Sequence, residues 1–164
     1  MAAGSTYTPI ATTTLGSAQS SVTFNSFSGY TDLIIVANTT AAGNQNILLR
    51  FNSDTATNYS YIRMMGSGSG AQAGKEASID AINLYNSSAN LNGVMTTTLL
   101  NVMNYANSSV YKTVLSRGNA GANETNLQVS QWRSTSAITS LTLSIFTTNF
   151  SAGSTFTLYG VLNA

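Results

Sequence analysis

Cysteine and histidine are both absent from the 164 residues. Without thiols there is no disulfide and no thiolate, and cysteine usage carries no record of a redox compartment. Without imidazole, Ser-His-Asp and Cys-His arrangements for nucleophilic catalysis are excluded, and the common zinc and haem ligand sets go with them. Charge is scarce as well. Six basic and five acidic side chains make 7% of the chain, against roughly 25% in an ordinary domain. Residues 1–31, 81–111 and 134–164 carry none. The net charge of +1 gives no electrostatic footprint for nucleic acid or an anionic membrane surface. No run approaches the ~18 consecutive apolar residues of a spanning helix. The opening MAAGSTYTPI has neither the basic start nor the apolar stretch of a secretory leader, so synthesis in the cytoplasm is expected.

What takes the place of charge is hydroxyl and amide. Ser, Thr and Asn account for 64 residues, so the solvated faces are hydrogen-bonding but nearly neutral. Such a surface repels a neighbour weakly and suits close packing. Along the chain, period-two alternation dominates. Leu141, Leu143 and Ile145 alternate with Thr142 and Ser144; Val22 and Phe24 with Ser21 and Thr23; Leu127 and Val129 with Asn126, Gln128 and Ser130; Phe156 and Leu158 with Thr157 and Tyr159. Residues 33–36 form a short continuous apolar run, as in a strand buried on both faces. Further strands are expected over 7–15, 46–52, 58–65, 78–85, 93–105 and 110–117, separated by turn clusters at 26–29, 41–44, 66–74, 86–92, 104–109, 118–126 and 149–154. The single proline, Pro9, sits where an edge strand tolerates a missing N–H. One helical turn is allowed over 71–77, interrupted by Gly74, and the GSGSG of 66–70 reads as a mobile surface loop. These features predict one all-β domain over 1–164, a jelly-roll-like antiparallel β-sandwich of about ten strands, with 1–6 as a flexible N-terminal arm.

Chemistry-bearing residues are few. The nearest acidic pair, Glu76 and Asp80, reads as surface carboxylates rather than the two flanking groups a glycosidase needs. Asn52, Asp54 and Asn58 could offer oxygens to a calcium ion, but a single carboxylate is a poor set. Asp54 is better suited to cap its own turn by accepting a backbone N–H two residues on, and Arg50 could reach Asp54 or a neighbouring carbonyl. Gly153 breaks the last loop, and Gly160 suggests close approach of another backbone or ring. Tyr59, Tyr61, Tyr85, Tyr105 and Tyr111 stand at strand ends or beside turns, where rings usually bury and hydroxyls stay wet. Trp132 with Arg133, Tyr85 and Tyr105 form the candidate binding surface, including for a glycan. Arg50, Arg63, Arg117 and Arg133 lie in or beside strands and are expected to anchor a fold corner or a subunit contact. No catalytic residue, metal or cofactor is expected, and the chain is expected not to be an enzyme.

Three stretches are recognisable. LLRFNSDTATNYS at 48–60, Tyr30-Thr-Asp-Leu-Ile-Ile, and Trp132 followed by AITSLTL at 137–143 and FSAGSTFTLYGV at 150–161 together resemble a recurrent family of phage and prophage virion proteins. Ser53 departs from the family pattern, where Gly is frequent, so a less tight turn is expected there. The resemblance implies a β-sandwich virion component whose motif residues Arg50, Asn52, Asp54, Asn58, Tyr59, Gly153, Tyr159 and Gly160 define the fold. It implies either a decoration (cement) protein on the capsid surface, trimeric and bound between subunits of the major capsid protein, or a tail-fibre or receptor-binding domain with a host surface glycan as ligand.

Overall fold

The computed structural model describes residues 6–43, 45–84, 91, 93–120 and 124–162. Twelve strands and no helix are found among them: β1 (Tyr7–Thr14), β2 (Ser21–Asn25), β3 (Asp32–Thr39), β4 (Ile47–Phe51), β5 (Tyr59–Ser67), β6 (Gly70–Ile79), β7 (Ile82–Asn83), β8 (Thr96–Met103), β9 (Lys112–Ala120), β10 (Glu124–Trp132), β11 (Ser140–Ile145) and β12 (Thr155–Val161). All pair antiparallel. Eight form one sheet in the order β1-β12-β3-β8-β9-β10-β5-β6, and four form the second in the order β2-β11-β4-β7. The fold is an all-β, jelly-roll-like sandwich.

Alternation in sequence becomes alternation in burial because successive side chains leave a strand on opposite faces. Leu33, Ile35 and Ala37 of β3, Leu100 and Val102 of β8, and Phe156 and Leu158 of β12 form one face of the core. Val22 and Phe24 of β2, Leu141, Leu143 and Ile145 of β11, and Ile47, Leu49 and Phe51 of β4 form the other. The chain closes on itself near Phe150, which bridges both Gln19 and Ala41. Leu162 donates its N–H to the carbonyl of Thr6, so the end of the expected arm is tied to the last strand. The rest of the arm, residues 1–5, lies outside the described residues.

Two expectations are corrected. Residues 71–77 make no helical turn. They are the middle of β6, held to β5 from Tyr59↔Ile79 to Ser67↔Gly70. The GSGSG segment is therefore a tight hairpin, with Gly70 at φ +152°. A paired template overrides the weak strand preference of Ala, Gly, Lys and Glu. The expected strand over 78–85 is cut to β7 by the same hairpin, which takes 78 and 79.

In the half of the large sheet made by β9, β10, β5 and β6, apolar side chains face solvent, and β10 is inverted outright. On β10, Asn126, Gln128, Ser130 and Trp132 are buried, while Leu127 and Val129 are exposed. Trp132 dictates this phase. Its ring packs 5.6 Å from Phe51 and 6.3 Å from Tyr59, centroid to centroid, and at period two the three polar residues must follow it inward. Gln128 Nε2 then donates to the Asn83 carbonyl at 2.9 Å and to Ser130 Oγ at 2.8 Å.

Candidate functional site

The motif residues converge on Asp54. Its Oδ1 accepts the Ala56 backbone N–H at 2.9 Å, the expected Asx-turn. Its Oδ2 accepts Asn58 Nδ2 at 2.9 Å and Trp132 Nε1 at 2.7 Å. Burial opposes ionisation of this carboxyl, but the donors from Asn58, Trp132 and Ala56 outweigh it and hold its pKa below the ordinary 3.8. N–H donors pointed at both oxygens disfavour a cation here, and the Asn52 side chain faces elsewhere. Asn52 Oδ1 accepts the N–H groups of Thr139 and Ser140, and its Nδ2 donates to the Ala137 carbonyl at 2.8 Å. Among the described residues no three His, Cys, Asp or Glu cluster.

Tyr59 completes the corner. Its oxygen accepts the Phe51 N–H at 3.1 Å and its hydroxyl donates to the Asp54 carbonyl at 3.2 Å. Burial pushes its pKa up from 10.0 to about 12. Asn52 and Ser53 take φ of +52° and +56°, so Ser53 keeps the left-handed turn geometry that favours Gly, contrary to the looser turn expected. Arg50 reaches Asp80 rather than Asp54: Nε donates to the Asp80 carbonyl at 3.0 Å, and Nη2 pairs with its carboxylate. At the other end of the fold Gly153 has φ +85°, and its N–H donates to the Leu15 carbonyl at 2.8 Å. A Cβ added to Gly160 would lie 2.2 Å from the Tyr30 ring, so the close approach expected at this glycine is that of a ring. Tyr159 points to the outer face, between Pro9 and Ile34.

The expected binding surface does not assemble. Trp132 and Tyr105 are both 2% exposed; one ring fills the Asp54 corner, and the other packs edge-on against Phe27. Arg133 is pinned, with Nη2 donating to the Thr57 carbonyl at 2.8 Å. Tyr85 lies outside the described residues. Trp and Tyr carry a large apolar ring beside one polar atom, so sequence position alone does not say whether the ring is buried or displayed.

The surface the sequence reading missed is the outer face of the inverted half-sheet. Cross-strand register places Leu115, Val129, Ile62 and Lys75 in one row, and Arg117, Leu127, Met64 and Ala73 in the next. Ile62 and Met64 are each 62% exposed, Val129 43% and Leu127 40%. They line a shallow groove of about 460 Å³ with Ala73 and Lys75. A contiguous exposed apolar patch of this kind is a candidate interaction surface. The signal was present in YSYIRMM at 59–65: Tyr59, Tyr61 and Met65 fill one face, leaving Ile62 and Met64 only the other.

No family model matches the chain, and no curated protein matches its sequence. Among solved structures it is similar to galectin LEC-6 of Caenorhabditis elegans, with a TM-score of 0.38 and 13% identity over 93% of this chain and 96% of that one. It is also similar to the alginate lyase Aly36B, with a TM-score of 0.37 and 10% identity over 93% of this chain and 81% of that one.

Proposed function

We propose that this chain is a non-enzymatic virion structural protein of a bacteriophage, a decoration protein that binds between subunits of the major capsid protein. The observation that carries this reading is the inverted half-sheet. Its exposed apolar quartet, Ile62, Met64, Leu127 and Val129, presents contiguous hydrophobic area suited to contact with another macromolecule. The motifs resembling phage virion proteins support the same reading. A receptor-binding head resting on exposed Trp132 and Tyr105 loses its platform, since both rings are buried. Three copies around a three-fold position of the shell is the arrangement this proposal expects.

Immunogold electron microscopy of the parent particle, with antibody against this chain, tests the reading. Gold spread over the head is expected. Gold confined to the tail, or absent from particles, rejects it.

A further inference from the structure

Six basic residues occur in the chain, and four are engaged within it. Arg50 pairs with Asp80, and Arg63 lies 5.1 Å over the Tyr61 ring. Lys112 Nζ donates to the Val110 and Thr135 carbonyls, and Arg133 to the Thr57 carbonyl. The remaining two, Lys75 and Arg117, are exposed. Both stand on the outer face of the inverted half-sheet, at opposite corners of the apolar quartet. Three strand spacings and a two-residue step separate their Cα atoms, on the order of 16 Å.

The same face offers no free carboxylate. Asp32 is its one described acid, at the far end, and it already accepts the Asn104 N–H at 2.6 Å. A second copy laid face to face would bring the same two cations against a single carboxylate, Asp32, two strands from Arg117 and already hydrogen-bonded. The complementary occupant is a different protein, apolar where it meets the quartet and carboxylate-bearing at two points opposite Lys75 and Arg117.

We propose that the outer face of β10, β5 and β6 is the docking surface for the shell subunit, and that two carboxylates on that subunit, spaced to match Lys75 and Arg117, set its register. This rests on the decoration reading and adds the partner's surface chemistry. Apolar contact would supply the affinity, while the two flanking pairs, screened by salt, would select the partner.

The test uses shells purified from parent phage deleted for this chain, mixed with the chain and separated by sedimentation. Met64→Gln with Leu127→Gln should weaken binding about tenfold or more. Lys75→Glu with Arg117→Glu should weaken it about tenfold or more at low salt and reverse its salt dependence, so that added salt partly restores binding. All four positions are exposed, so unchanged thermal melting will verify folding; if the glutamine pair misfolds, the charge-reversed pair carries the test. Undiminished binding by both pairs would overturn the inference, and with gold still over the heads the decoration reading would stand alone. Failure of the unaltered chain to bind shells would overturn the inference, and absence of gold from heads would show that the decoration reading had failed with it. Self-association in analytical ultracentrifugation that disappears in the glutamine pair would identify a second copy as the occupant, and would overturn it too.

Discussion

Asp54 gathers N–H groups from Ala56, Asn58 and Trp132, so one short side chain ties a turn to a strand 78 residues further on. Asp54→Ala leaves the buried indole N–H without an acceptor and should cost about 2–3 kcal/mol in urea unfolding followed by Trp132 fluorescence; Asp54→Asn, which keeps an acceptor, should cost less. The sign of the pH effect follows from the lowered pKa. Asp54 contributes stability that is fully present above its ordinary value of 3.8 and is lost as pH falls through its lower folded value. Acid titration of stability should therefore fall more steeply below pH 3.8 in the unaltered chain than in Asp54→Asn; equal slopes would contradict this role. Gly160 makes the second residue-scale case. Gly160→Ala forces the Tyr30 ring aside and should cost about 2 kcal/mol. With Tyr30→Ala in the same chain, the added cost should drop below about 1 kcal/mol. The Asx-turn and the crowding at Gly160 were legible in sequence because each follows from one residue's own geometry. The Trp132 contact was not, since its acceptor is fixed only by the register of β10.

At the scale of elements, strands rich in Val, Ile, Leu and Phe with hydroxyl partners, such as β11 and β12, were legible to within a residue or two. β6 was not. Its sequence GAQAGKEASI has no strand preference of its own and is extended because β5 pairs with it along its whole length. It is also a sheet edge, with nearly every residue exposed, and Lys75 there discourages further strand addition. Hydrogen exchange should find the β6 amides among the fastest of the strands, and those of β3 and β12 among the slowest. Slow exchange throughout β6 in the isolated chain would mean that its edge is already covered. β10 shows a different failure of legibility. Its alternation identified a strand, but periodicity does not say which phase faces the core. The aromatic corner around Trp132 makes that choice, against the hydrophobicity of Leu127 and Val129.

For the whole molecule, that choice divides the large sheet into two regions of different character. Under the small sheet, apolar side chains of both sheets fill a single core. Toward β10, β5 and β6 the large sheet turns apolar groups to solvent, and on β10 it turns polar groups inward. Buried amides and hydroxyls cost free energy unless well paired, and Gln128 Oε1 and Ser116 Oγ have no partner among the described residues. The isolated chain is thus built with its less favourable face outward, an arrangement that suits a protein completed by a neighbour. Fold class was legible from composition and alternation because both are properties of the whole chain. The exposed apolar face was hidden because it depends on where a few rings sit.

Cryo-electron microscopy of the parent particle, at a resolution that traces strands, would show where the chain sits and which face it buries. Expected is this sandwich on the head, with Ile62, Met64, Leu127 and Val129 against the shell subunit and carboxylates opposite Lys75 and Arg117. A head-bound sandwich with that face open to solvent, or a head with no density for the chain, would contradict that expectation.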